Sequence, residues 1–408
     1  MASRFRQSFP EVVASHWAAI VVTLIVATLS FFLHLKWCGS LMQLDEAVFA
    51  GMLRHHLTTY PLSIRFFTSD IIFALTTAGL TIKQAYFLIQ YSLVVLLAFV
   101  FYKYLLALGF TKRNSNFGLF LLLSAYPILA AHIEPVHTWD DIWCHLFLAL
   151  SMTAFIKDRP ASGLVWFTLA CFAREQSLIF LPIAVYAYRT FTRERSRYSL
   201  IGVIAMPIIF YGAYYAFHWQ SPGADRFSLI AFNFANPLRT SDTLFSLFIS
   251  FGLLWVTALI GLFCRRTSPV FRFLFAGTLI TVPATLVIAL FLACARETRL
   301  LFPPFLFIIP LSLIVLKTIY DRISDRLTSR GMLATMLIIV VLMTVGVILG
   351  NIVFPAFEYR RCPNFQRLWA GIHFGLILSL IAYGIRWGWK GFFSDRRDNE
   401  SYFGSREL

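Results

Sequence analysis

The chain has 408 residues, of which 59% are apolar and only 13% charged, and its mean hydropathy is +0.72. An ordinary soluble fold has no way to hide that much apolar surface. The formal charge of +15 does not mark a nucleic-acid partner, because the Lys and Arg residues sit in short clusters between apolar runs and form no continuous basic surface.

Windows of about twenty residues place transmembrane helices near 17–36, 85–107, 117–133, 142–156, 164–176, 177–191, 199–218, 243–264, 273–294, 300–317, 331–350 and 368–385. This is an all-α polytopic membrane protein of about twelve spans, with residues 1–390 as a single transmembrane domain and 391–408 as a cytoplasmic tail. The first apolar run, Trp17 to Leu35, is long enough to cross the bilayer and lacks a small-residue cleavage pattern, so it reads as an anchor. The fifth and sixth spans are short and read together as a broken or re-entrant pair, which requires that the freed backbone be buried in protein or line a wet cavity.

With Met1 inside, 23 of the 35 Lys and Arg residues fall at cytoplasmic ends and loops. That asymmetry predicts an inner-membrane protein with both termini cytoplasmic. Acids close to a membrane boundary, including Asp45, Glu46, Asp70, Glu134, Asp140, Asp141, Glu175 and Glu297, fall almost entirely outside. Six cysteines are scattered singly, with no spacing that suits a metal or a disulfide framework.

The first external loop, 37–84, is too apolar for a flexible linker and predicts two interfacial amphipathic helices. In the first of them Leu44, Val48, Met52 and Leu53 share a face, and Asp45 and Glu46 stand at the start, where the helix dipole favours negative charge. Asp45 is either a helix cap or a general base or metal ligand, since an acid held against the bilayer loses water and its pKa rises. His55, His56, Tyr60 and Arg65 are candidate substrate contacts in the same loop.

The second external loop, HIEPVHTWDD from His132 to Asp141, packs two His, one Glu and two adjacent Asp into a tight turn. Asp140, Asp141 and His137 are candidate ligands for Mg²⁺ or Mn²⁺; the alternative is capping by the acids and interfacial anchoring by Trp139. Two Arg-Glu pairs follow, Arg174-Glu175 and Arg296-Glu297, the second with Arg299 just beyond. Ionisable residues at membrane depth serve a site or a partner charge. Arginine suits a phosphate because its planar fork binds two oxygens, and the alternative is structural pairing of Arg174 with Glu297 or Arg296 with Glu175. Glu358, Tyr359, Arg360 and Arg361, in the last external loop, form a rim for an anionic head group or a solvated turn.

Four features resemble the membrane-embedded glycosyltransferases of the GT-C fold, a superfamily that includes protein mannosyltransferase-like and aminoarabinose transferase-like enzymes. They are the acidic pair Asp45-Glu46, the second acidic pair Asp140-Asp141, the short helices in GLVWFTLACFAREQSLIFLP, and the late ARETRLLFPPFLFIIP. The resemblance spans roughly Trp17 to Pro310. It departs from the better known members in having Glu rather than Asp at position 46 and no large soluble C-terminal domain. It implies transfer of a sugar from a polyprenyl-phosphate donor to a glycan, lipid or protein acceptor at the periplasmic face. Asp45 would then be the base, Glu46, Asp140 or Asp141 would hold a metal or orient the acceptor, and Arg174, Arg296 and Arg299 would neutralise the leaving phosphate.

Two other functions fit the same composition. A transporter or flippase of a lipid-linked or anionic solute would carry an internal repeat and acids near the bilayer midplane, whereas no convincing repeat is found and the acids lie near one face. A polysaccharide polymerase or ligase would place its largest external loop late, and here the largest is the first.

Overall fold

The computed structural model of the chain describes residues 17, 19–29, 32, 45–59, 62–129, 135–193, 197–218, 228–263, 268–293, 298–326, 329–353 and 363–387. Among them every regular element is helical. The first helices are α1 (Ala19–Leu29), α2 (Glu46–Thr58), α3 (Phe66–Thr77), α4 (Ile82–Ala107), α5 (Lys112–Leu123), the single turn α6 (Tyr126–Leu129), α7 (Pro135–Ile156) and α8 (Pro160–Ala173). A 3₁₀ turn, Glu175–Phe180, leads into α9 (Leu181–Phe191), followed by α10 (Arg197–Phe217), α11 (Ser228–Phe234), α12 (Pro237–Phe251), α13 (Leu253–Phe263) and α14 (Pro269–Val287). A π-helical turn, Ile288–Leu292, and a second 3₁₀ turn, Thr298–Leu301, precede α15 (Phe305–Arg326), α16 (Ser329–Val353) and α17 (Pro363–Trp387).

Five of these helices are long and apolar enough to cross a membrane, and the bent pair α12–α13 is a sixth candidate. Local chemistry sets where they start. Thr81 and Gln84 form a reciprocal cap on α4: the Gln84 N–H donates to Thr81 Oγ1 at 3.2 Å and the Thr81 N–H to Gln84 Oε1 at 3.0 Å. Proline at the first position opens α8, α12 and α14, where its missing N–H costs nothing.

The core is α4, α7, α8 and the first half of α15. Phe305 to Ile309 are fully buried on every side of α15, the pattern of a helix surrounded by protein. Pro310 removes the N–H that would have bonded the Leu306 carbonyl, and the Tyr104 hydroxyl donates to that carbonyl instead at 2.9 Å. By contrast α16 exposes Met336, Leu337, Ile338, Val340, Val341, Ile348 and Ile352. It meets α17 through glycine: a Cβ on Gly346, Gly371 or Gly375 would run into the facing backbone.

Several predicted spans are interrupted. The expected straight helix 243–264 bends by 68° between α12 and α13, at Gly252, whose φ of +51° suits glycine. The break frees the Leu253 N–H, which donates to His373 Nδ1 of α17 at 3.0 Å. The span expected at 273–294 is α-helical to Val287 and continues as the π turn; the carbonyls of Leu290 within that turn and of Ala293 just after it each accept from Asn233 Nδ2 at 2.9 Å. The expected external turn 132–141 is helical from Pro135 onward, as the start of α7. The two helices predicted within loop 37–84 are present as α2 and α3, but α2 buries Phe49, Leu53 and His56 while Val48 is exposed; Leu44 lies outside the described residues.

Candidate functional site

Ionisable side chains from five separate stretches meet at one end of the bundle. α2 carries His56 inward on the same face as Phe49 and Leu53, at spacings of four and three. Arg65 immediately precedes α3, and Thr68 and Ser69 in the first turn of that helix are also buried. Asp140 and Asp141 lie in the second turn of α7. Arg174 is the extended residue that ends α8, and Glu175 opens the 3₁₀ turn after it. Arg299 comes from the 3₁₀ turn before α15. The break after α8 is held by Ser177 Oγ, which donates to the Ala170 carbonyl at 2.9 Å, and by Gln176 Nε2, which donates to the Leu300 carbonyl at 2.9 Å and so ties the two arginine-bearing turns together.

Consecutive residues on a helix diverge by about 100°, so the two aspartates serve different partners. Asp140 receives His56 Nε2 at 2.9 Å and Thr68 Oγ1 at 3.1 Å, with the Arg65 guanidinium at 3.9 Å. His56 Nδ1 faces Ser69 Oγ at 2.8 Å. Arg65 turns its fork to Glu175, with contacts of 2.7 and 2.9 Å from one nitrogen and 3.3 Å from Nε. Asp141 is shared by two arginines, Arg174 and Arg299, the latter at 2.7 Å. All of these side chains are buried except those of Arg299, which is partly exposed, and Glu175, which is 35% exposed.

Burial works against the Arg65 charge, yet Glu175 and Asp140 outweigh it and raise the guanidinium above its ordinary value. Among the described residues three guanidiniums meet three carboxylates, and opposite charge is the condition under which charges persist in a buried site. The Nε of Arg174 is buried and has no hydrogen-bond partner.

Of the residues singled out by sequence, the structure brings Arg65, Asp140, Asp141, Arg174, Glu175 and Arg299 together. Among the described residues Arg174 meets Asp141 and Glu175 meets Arg65; the expected partners Glu297 and Arg296 are not among those residues. Arg296 and Glu297, and the Glu358 to Arg361 segment, lie outside the described residues, as does the side chain of His137. Asp45 and Glu46 do not join the cluster. Both are exposed at the start of α2, where the Glu46 carboxylate accepts from the Lys83 N–H at 3.2 Å. At about 1.5 Å of rise per residue, Asp45 lies about 16 Å along the helix from His56. His55 is exposed as well, against Thr59 Oγ1 at 3.0 Å.

Among the described residues no three of His, Cys, Asp and Glu gather as metal ligands. Asp140 takes its contacts from an imidazole and a hydroxyl, and Asp141 from two arginines. Sequence reasoning passed over Thr68 and Ser69 and named His56 only as one of several contacts. The signal was present: Arg65, Thr68, Ser69 and Ile72 recur at helical spacing and are all buried. No family model, curated protein or solved structure matches the chain.

Proposed function

We propose that the chain is a membrane-embedded glycosyltransferase that moves a sugar from a polyprenyl-phosphate donor to a glycan, lipid or protein acceptor at the outer face of a bacterial inner membrane. The observation that carries this reading is the convergence of Arg65, Arg174 and Arg299, from three distant stretches of chain, on one buried cluster. Guanidinium forks match phosphate oxygens, and their charge is useful where negative charge develops on a departing phosphate. Arg174 and Arg299 meet at Asp141, and Arg174 Nε lacks a hydrogen-bond partner among the described residues, so this pair is the one we assign to the donor phosphate.

Five helices, or six with the bent pair α12–α13, are long and apolar enough to span, and about twelve crossings with both termini cytoplasmic are proposed. Counting α1, α4, α5, α7, α8, α9, α10, the α12–α13 pair, α14, α15, α16 and α17 as crossings, strict alternation from a cytoplasmic N-terminus puts every residue of the cluster at the outer ends. Asp45 and Glu46 stay outside this phosphate site, and the carboxylates beside it are Asp140, Asp141 and Glu175.

Native mass spectrometry of the detergent-solubilised protein tests the reading. A polyprenyl phosphate is expected to co-purify with wild type and with Asp45→Asn and to be lost from Arg174→Ala. Absence of such a lipid from every variant would turn the reading to a transporter of an anionic solute, for which the breaks at Gly252 and at Ile288–Leu292 are the favouring observation.

A further inference from the structure

Among the described carboxylates of the cluster, Glu175 is the one that solvent reaches. The residues next to its ion pair with Arg65 are aromatic. Phe172, two positions before Arg174 at the end of α8, meets Tyr211 of α10 edge to face at 6.1 Å and Tyr214, three residues on, at 5.2 Å. Phe66 follows Arg65 directly and lies 6.2 Å from Phe172 and 6.1 Å from Tyr214. The Tyr214 hydroxyl donates to the Ile64 carbonyl at 3.0 Å, which ties α10 to the residue before Arg65. Phe66, Phe172 and Tyr214 are each partly exposed, so α3, α8 and α10 together set a partly open group of rings beside a partly exposed carboxylate.

Tyr211 stands differently from the other rings. Its hydroxyl interacts electrostatically with both Glu175 and Arg65, yet it is buried and has no hydrogen-bond partner among the described residues. A buried phenol ordinarily finds a partner, and one left over beside an ion pair and an aromatic recess points to a ligand that supplies it. The groups define the chemistry of that ligand. An ionised carboxylate only accepts and a phenol hydroxyl both donates and accepts, so together they suit a ligand rich in hydroxyls. The negative faces of the rings suit the C–H edges of a pyranose. A ligand carrying its own carboxylate would meet like charge at Glu175. Arg174 and Glu175 are consecutive, so the recess adjoins the pair assigned to phosphate.

Resting on the reading of Arg174 and Arg299 as the donor-phosphate site, we propose that this recess holds the sugar of that donor and selects a neutral, hydroxyl-bearing pyranose over a uronic acid. Glu175 accepts from the sugar hydroxyls, Tyr211 gains through the sugar the hydrogen bond it lacks, and Phe66, Phe172 and Tyr214 cover the apolar side of the ring.

Isothermal titration calorimetry of the full chain in detergent separates sugar from phosphate. The probes are farnesyl methyl phosphate, which has no sugar, the farnesyl phosphodiesters of glucose, galactose and mannose, and those of the matching uronic acids. Wild type is expected to bind at least one hexosyl probe about tenfold or more tightly than the methyl diester, and the matching uronosyl probe no better than the methyl diester. Tyr211→Phe removes a hydroxyl that no described residue uses, so it is expected to fold as wild type and to bind the methyl diester unchanged. Its hexosyl affinity is expected to fall by about two- to tenfold. Hexosyl probes bound no better than the methyl diester, a uronosyl probe bound as well as its hexosyl counterpart, or a hexosyl affinity that Tyr211→Phe leaves unchanged or lowers only as much as that of the methyl diester, overturns the sugar subsite and leaves the phosphate site standing. No binding of any probe by wild type overturns both. The comparison of probes needs no variant, so it decides even where Tyr211→Phe does not fold.

Discussion

Two regions of the molecule solve the problem of close packing in opposite ways. Where α7 begins and α8 ends, long charged side chains from distant segments fill the interior and neutralise one another. In the α16–α17 hairpin the interior is nearly without side chains, because Gly346, Gly350, Gly371 and Gly375 let the two backbones touch. The hairpin gains dispersion contacts and needs no partner of matching charge. The cluster is specific and costly to disturb, since each member leaves an opposite charge behind when removed. One region packs backbone against backbone, and the other sets charge against charge.

This contrast ranks the expected effects of mutation. Asp141→Ala leaves Arg174 and Arg299 facing each other in a buried site and is expected to destabilise by about 3–5 kcal/mol, as for breaking other buried pairs. Unfolding in mixed micelles measures it, and a loss below about 1 kcal/mol would show that the arginines find water or another partner. Gly375→Val forces its branched side chain against the Met343 backbone and is expected to cost about 1–3 kcal/mol through overpacking. Because the two regions share no partner, the double variant is expected to lose the sum of the single losses to within about 0.5 kcal/mol, and a larger discrepancy would mean that the hairpin and cluster are coupled. Tyr104→Phe removes the donor to the Leu306 carbonyl at the Pro310 position and is expected to cost about 1–2 kcal/mol, where an unchanged stability would mean that the carbonyl is satisfied elsewhere. Thr81→Ala removes the cap of α4, for an expected loss of about 1 kcal/mol; no loss would show that packing alone fixes that helix start.

Helices and their approximate places were legible because hydropathy is a local property, summed over a window. The breaks were not. The bend at Gly252 depends on His373, about 120 positions away, which receives the freed N–H, and the π turn after α14 depends on Asn233. The cluster was legible in its members and not in its pairs. An arginine within an apolar run announces a partner, but neighbouring acids in sequence were not the ones reached: Glu175 sits beside Arg174 in the chain and pairs with Arg65, 110 residues earlier. Asp45 and Glu46 were singled out for their charge at a helix start, and that position proved to be an exposed one. His56 was readable from its spacing with Phe49 and Leu53, and the preference for charged residues obscured it.

The contact between His373 and the α12–α13 bend bears on how the chain is made. Synthesis runs from the N-terminus, so the bend emerges from the ribosome long before α17 exists. Until that last helix arrives, the Leu253 N–H has no acceptor from it, and a lipid environment offers none. The bend therefore acquires this support only when α17, made about 120 residues later, is in place, which makes a distant later segment a condition for the geometry of the middle.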